Sequence, residues 1–205
     1  SYHSKMTSSS LNDLIDLFSK LPSLGPRSAR RAVLYLLKRK TIIPKLVNSL
    51  EEVQANTKFC SICANLDIID PCTICRNEKR KKDKICVIED ISDLWAIEKS
   101  NAFNGQYHIL GGVLSAIDGI GPEELNIVSL FDRIKNGLVK EIILATNATV
   151  EGQITAQYIA DHCDDSKILI TRLAQGMPMG SELEILDYNT LSTAFKSRSK
   201  LDTSL

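Results

Sequence analysis

The sequence predicts a multidomain chain of mixed class: an all-α front, a four-cysteine metal knuckle, and an α/β domain built on a parallel sheet. Three observations carry this reading. Residues 60–75 run C-SI-C-ANLDIIDP-C-TI-C, two Cys-x-x-Cys turns eight residues apart. Before them, apolar residues recur at helical spacing on either side of a Leu24-Gly25-Pro26 break. After them, from Ile85, short apolar runs alternate with helical patterns, as in strands joined by helices over both faces of a sheet.

The first helix is expected around 11–21, with apolar residues at 11, 14, 15, 17, 18 and 21, Ser10 as N-cap and Asp13 in the first turn. Pro22 to Pro26 ends it. A second helix starts with Gly25 as cap and Pro26 at its first position, where a missing N–H costs nothing. Its inner face is expected to be Ala29, Ala32, Val33, Leu36 and Leu37. A third amphipathic helix, about Ile42 to Lys58, leads into the cysteines. Ser1–Lys5, ahead of Met6 and a Thr/Ser tract, read as an expression remnant within a frayed start over residues 1–10.

Each Cys-x-x-Cys turn can aim two sulfurs at one point, and the loop between lets four thiolates close a tetrahedron around one Zn²⁺. Cys60, Cys63, Cys72 and Cys75 are therefore the expected ligands. Two disulfides are the alternative. No secretory signal precedes the cluster, and Cys86 and Cys163 lie far off in sequence, which argues against them. With no fifth ligand apparent, the zinc is expected to be structural, one per chain.

The formal net charge of zero conceals a division. Lys and Arg outnumber Asp and Glu 16 to 8 in residues 1–85 and are outnumbered 17 to 9 in 86–205, a net +8 against −8. A basic front joined to an acidic body suits a polyanion partner, although chance segregation of solvated charge gives the same count. The run Glu78 to Lys84 reads as a solvated basic hinge. No apolar run approaches the ~20 residues of a membrane span.

In the α/β part, strands are expected at 85–88, 107–110, 141–145 and 167–171. Helices are expected from Ser92 to Ser100, from Pro122 to about Lys135, and from about Gly152 to His162, with a polar tail from Ser197. Glu89 follows the first strand at its carboxyl end, where open parallel sheets place ligands. Asn147, Thr149 and Glu151 fall on the same rim, and carboxylates there could hold Mg²⁺; helix N-terminal acids are the plainer reading of Glu89, Asp90, Asp93 and Glu151. His108 lies in an apolar strand and reads as a core residue. Cys86 reads as an inert buried thiol, and Cys163 faces away from His162. There is no G-x-x-x-x-G-K-[ST] loop, which excludes a P-loop nucleotide triphosphatase.

The helix pair around Leu24-Gly25 can present backbone N–H groups to a phosphate, with Arg27, Arg30 and Arg31 beside it, Arg27 and Arg31 one turn apart. Such contacts read backbone rather than base sequence. An ordinary helical hairpin with a solvated basic face fits the same residues.

Taken in order, LPSLGPRSARRAVLYLL, the four-cysteine spacing, ICVIEDISDLWAIE, YHILGGVLSAIDGIGPEELN, ILATNATVEGQITAQYIA and ITRLAQGMPMGSELEILD closely resemble the bacterial recombination mediator family RecR, from about Leu11 to Phe195. The resemblance implies a helix–hairpin–helix domain (11–58), a four-cysteine zinc finger (59–77), the basic hinge (78–84), a Toprim domain (85–180) and a C-terminal assembly segment with its tail (181–205). It implies a cytoplasmic, nucleoid-associated DNA-binding clamp for recombinational repair. Such a clamp forms ring-like dimers or tetramers and acts with RecO and RecF to load recombinase. The family's basic DNA-contacting positions match Arg27 and Arg31.

Catalytic Toprim enzymes carry an Asp-x-Asp pair where this chain has Asn147 and Thr149. The resemblance therefore implies no catalysis and no Mg²⁺ site, with Glu89, Asp93 and Glu151 left for partner contact. Three positions depart from the family pattern: Ser23 stands in place of a hairpin Gly, Ala148 of a Pro and Gln153 of a Glu. A Mg²⁺-dependent Toprim nuclease or primase-like enzyme, and a zinc-finger adaptor that binds only proteins, are the competing readings.

Overall fold

The computed structural model describes residues 9–165 and 167–201. Most of the frayed start expected over 1–10, and the last residues of the polar tail, lie outside these. The chain divides into two compact units, one ending at Thr57 and one beginning at Lys58.

The front unit holds three helices: α1 (Ser9–Ser19), α2 (Pro26–Lys38) and α3 (Ile42–Asn56). Helix α1 already includes Ser9 and Ser10, so Ser10 is a helical residue and not the cap. Between α1 and α2 the backbone turns through Ser23, which sits at φ +65°, and Leu24 N–H donates to Leu21 O at 3.2 Å. Gly25 is extended (φ −76°, ψ 174°) and caps α2 with its carbonyl alone, accepting from Ala29 N–H at 2.9 Å. On α2, Ala29 and Val33 are buried, Ala32 and Leu36 are half-buried, and Leu37 is exposed. A three-helix unit this small encloses only one turn's worth of core.

The second unit opens with a two-stranded antiparallel ribbon, β1 (Lys58–Phe59) with β2 (Leu66–Asp67), followed by the short helix α4 (Thr73–Arg76). The α/β body then supplies β3 (Lys84–Ile88), α5 (Ile91–Ser100), β4 (Gln106–Ile109), α6 (Ile127–Ile134), β5 (Glu141–Leu144), α7 (Val150–His162) and β6 (Leu169–Arg172). All four strands are parallel, in the order β4-β3-β5-β6. Successive residues of β3 point to opposite faces. Ile85 and Val87 join Ile127, Leu130, Ala156 and Ile159 beneath α6 and α7. Cys86 and Ile88 join Leu94, Tyr107 and Ile109 beneath α5. Burial on both faces explains why the strands read as unbroken apolar runs.

Two expectations change. The helix expected from Pro122 to Lys135 is broken into a 3₁₀ turn, Pro122–Glu124, and α6. The break is Asn126, whose N–H donates to Leu110 O (3.0 Å) and whose amide donates to Ile109 O (2.9 Å), so the chain is pulled onto the end of β4. The run 78–84 is not wholly solvated. Arg80 Nε donates to Gly105 O (2.7 Å), Arg80 Nη2 lies 2.8 Å from Glu98, and the guanidinium stacks 5.6 Å from the Tyr107 ring centre. Lys81 N–H donates to Asn104 O, while the side chains of Lys79, Lys81 and Lys82 are exposed. One residue of this basic run is thus a bolt rather than part of a hinge.

After β6 the chain makes a 3₁₀ turn, Leu183–Ile185, and ends in α8 (Tyr188–Lys196). Asp187 caps α8, accepting from Thr190 N–H at 2.7 Å. Helix α8 buries no residue, and Leu183, Ile185, Tyr188 and Phe195 are exposed.

Candidate metal centre and nucleic-acid interface

The four predicted cysteines converge. Cys60 Sγ and Cys75 Sγ are 3.8 Å apart, Cys63 Sγ and Cys72 Sγ 3.6 Å, and all four sulfurs lie within 4.8 Å of one another. A tetrahedral Zn²⁺ with bonds of about 2.3 Å sets sulfurs about 3.8 Å apart, so the set fits that ion. All four cysteines are free thiols, which leaves the disulfide alternative without support.

Local backbone makes the site. Cys72 N–H donates to Cys60 Sγ (3.3 Å), Asn65 N–H to Cys63 Sγ (3.4 Å) and Cys75 N–H to Cys72 Sγ (3.5 Å), donors that favour thiolate over thiol. Cys63, Cys72 and Cys75 shift one another's titration through their close approach. Contact with Cys72 pushes the Cys63 thiol up to about 12, contact with Cys63 raises Cys75, and the hydrogen bond from Cys63 lowers Cys72. Four sulfurs this close do not all ionise unless a cation joins them.

Two carboxylates of the loop between the cysteine pairs hold the turns. Asp70 Oδ1 accepts from Ser61 N–H (2.8 Å) and Ser61 O–H (2.9 Å), and Asp67 Oδ2 accepts from Thr73 N–H and O–H, both at 2.8 Å. Each thereby bolts one knuckle to the chain beside the other, and the backbone donor first holds each carboxyl below its usual range. The knuckle is in turn fixed to the sheet. Ile109 N–H donates to Cys63 O at 2.9 Å, and Ala64 and Ile74 pack on the core beside Ile109, so the free edge of β4 is covered.

Arg27, Arg30 and Arg31 are all exposed on α2 in its first two turns, so the predicted basic face exists as solvent-facing guanidinium groups. The N–H groups at the start of α2 have no side-chain cap, which leaves the helix N-terminus open beside Arg27. Farther along, Arg39 donates to the Tyr35 hydroxyl and stacks 4.5 Å from its ring centre.

At the carboxyl ends of β3 and β5, the predicted rim residues separate by role. Glu89 is clamped by one residue: Asn147 N–H donates to Glu89 Oε1 and Asn147 Nδ2 to Glu89 Oε2, both at 2.8 Å. Thr149 caps α7, accepting from Gly152 N–H at 3.0 Å. Gly152 is forced here, because a Cβ would fall 2.1 Å from Asn147 O and 2.9 Å from Glu89 Oε1. Asp93 is taken up by α5: its Oδ2 accepts from Asp90 N–H at 3.1 Å in a capping box, and burial raises its carboxyl. Glu151 is exposed in the first turn of α7. The rim therefore groups Glu89 with Asn147, while Asp93 serves its own helix. No cluster of three or more metal-ligating side chains exists among the described residues apart from the four cysteines.

His108 is a core residue, as the strand context predicts. Its Nε2 is 2.8 Å from Asn126 O and its Nδ1 is 3.3 Å from Arg133 Nη1. Burial pushes the imidazole down to about 4. Cys86, outside the knuckle, is also as read: it is buried, and burial raises its thiol to about 12.

Comparison with known proteins sets these features in a lineage. Residues 11–53 match the family model described as RecR, helix-hairpin-helix, and residues 83–174 match the Toprim domain model. A curated protein named Recombination protein RecR from Allorhizobium ampelinum is 51% identical over 195 residues, covering 95% of this chain and 97% of its own. Proteins of the same name from Sinorhizobium medicae (50%) and Agrobacterium fabrum (49%) align over 198 residues, 96% of this chain and 98% of theirs.

Proposed function

Because the chain belongs to the RecR family, we propose that it is a non-catalytic DNA-binding scaffold of recombinational repair that helps RecO and RecF load recombinase onto DNA. The observation that carries the DNA contact is the row Arg27, Arg30 and Arg31, solvent-facing where α2 leaves the hairpin. Phosphate is the ligand such a row suits, so binding is not base-specific. The Glu89–Asn147 clamp supports the absence of catalysis, since the amide sits where a second carboxylate would share a metal. Glu89 and Glu151 remain the rim acids offered to a protein partner.

We assign Zn²⁺ to the cysteine cluster as a structural ion, one per chain, on the strength of the sulfur spacings and the N–H donors around them. Structural zinc contributes folding free energy outright. Self-assembly into a dimer or tetramer ring is supported by the apolar side chains left exposed on α3 (Leu46, Val47, Leu50, Val53) and around α8. The functional divisions proposed are 11–58, 59–77, 78–84, 85–180 and 181–205. A cytoplasmic site of action accords with this role; no helix among the described residues is long and apolar enough to cross a membrane.

The test is DNA binding by the Arg27→Ala/Arg31→Ala double variant. Removing one phosphate contact lowers the slope of log K against log salt by about 0.9 on duplex, so the slope should fall by about 1.8 while the circular dichroism spectrum is kept. Equal affinity and equal slope would reject the hairpin as the DNA contact.

A further inference from the structure

We propose that Arg133 of α6 is the countercharge of the metal centre, its guanidinium held by His108 against the tetrathiolate from the far side of β4. The inference rests on the zinc reading above. A Zn²⁺ bound by four thiolates carries two net negative charges, and a dianion in a protein interior requires a nearby cation.

Arg133 is a half-buried arginine of α6. Its Nη1 donates to Tyr107 O at 2.5 Å and lies 3.3 Å from His108 Nδ1. Neither ion pair found among the described residues, Arg80–Glu98 and Lys135–Asp132, involves it. A guanidinium drawn out of water without a carboxylate is disfavoured unless another anion meets it. The anion the fold offers is the sulfur cluster: Cys75 and Arg133 line the same cavity of about 160 Å³, together with Ile62, Lys82 and Gln106. Burial disfavours the guanidinium's charge, and the four cysteine sulfurs, Cys75 foremost, favour it. Gln106 is 3% exposed and neither of its side-chain amide atoms has a hydrogen-bond partner, so an unpaired polar group lines the cavity that Cys75 and Arg133 share.

His108 sets the direction. Its Nε2 faces a carbonyl, Asn126 O, which can only accept, so Nε2 carries the proton and Nδ1 presents a lone pair to Arg133. A neutral imidazole is needed there, and burial keeps it neutral. The relay Asn126, His108, Arg133 thus runs from the break before α6 to the metal centre. Outer-shell partners of this kind typically change metal affinity 10- to 100-fold when removed. Arg133 is a positioning and charge-balancing residue; it is not a ligand.

The experiment uses the full chain, zinc-loaded. Zinc is drawn off by a chromogenic chelator, and affinity and release rate are compared for wild type, Arg133→Gln and Arg133→Lys, with folding followed by circular dichroism. Countercharge predicts that Arg133→Gln releases zinc at least 10-fold faster and that Arg133→Lys stays within about threefold of wild type. A folded Arg133→Gln that holds zinc as wild type does would overturn the proposal. So would equal loss in both variants, because the role would then be hydrogen bonding to Tyr107 and His108. If Arg133→Gln does not accumulate folded, Arg133→Lys decides alone: retention within threefold supports the charge role, and a 10-fold loss defeats it. A wild-type chain that neither contains nor takes up zinc overturns the zinc reading instead, and is told apart by metal content before any variant is made.

Discussion

Asn147→Asp is the substitution that asks whether the rim has given up its metal. The two side chains meet at 2.8 Å through Nδ2 and Oε2. Replacing the amide by a carboxylate removes a hydrogen bond to a charged group, worth about 1.5–3 kcal/mol. It also sets two negative oxygens at that separation, which costs about 1.5 kcal/mol if water screens them fully. Asn147 is exposed and Glu89 half-buried, so screening is strong and the low end of both figures applies. The backbone N–H of residue 147 still holds Glu89 Oε1, and the introduced carboxylate can rotate away. A loss of about 2 kcal/mol remains after both allowances.

Chemical denaturation in metal-free buffer measures it, and the same buffer with 10 mM Mg²⁺ supplies the second arm. A paired carboxylate site with a dissociation constant of about 1 mM would recover about 1.4 kcal/mol, while wild type should not respond. An Asn147→Asp protein as stable as wild type, or a wild type that Mg²⁺ stabilises equally, would refute the idea that Asn147 occupies the metal's place.

Two further outcomes follow from single positions. Ser23 holds a left-handed φ of +65° that costs a residue with a side chain about 1 kcal/mol, partly offset by the greater unfolded-state freedom of glycine. Ser23→Gly should therefore raise the stability of the front unit by about 0.5 kcal/mol in urea titration, and a loss of that size would contradict the assignment. His108 has a folded-state pKa of about 4 against an ordinary 6.5, so between those pH values the unfolded chain binds more protons. Its contribution, about 3 kcal/mol at most, is complete above pH 6.5 and is lost as pH falls toward 4. Asp93, raised by burial, pulls the opposite way in the carboxylate range. The imidazole resonance of His108 is the cleaner readout, and titration near 6.5 would disprove its burial as neutral.

What the sequence made legible was local. Cys-x-x-Cys turns, a Gly-Pro helix start and apolar runs at period two or 3.6 each declare themselves within a dozen residues, and the four sulfurs, α2 and the strands of the sheet lie where those patterns put them. What it hid was pairing at distance. Asn147 and Glu89 are 58 residues apart, and Arg80 reaches 25 residues to Gly105. A run of lysines gives no hint that its one arginine will be drawn inward. The break at Asn126 was hidden for the same reason, since its cause is the end of β4. Asp93 shows the converse: its neighbour Asp90 and the capping-box spacing were visible, and the structure uses the side chain in that cap. That Arg133 and Cys75 line one cavity has no sequence signal at all, because the two stand far apart in the chain.

The proposed function comes down to a chain that grips a phosphate backbone and leaves its bonds intact. Supercoiled plasmid incubated with highly purified protein, with and without Mg²⁺, tests it directly. The expected result is retarded migration that salt abolishes and, once protein is stripped away, DNA of unchanged topology. Nicked or relaxed plasmid that depends on Mg²⁺ and vanishes with Glu89→Gln would contradict it.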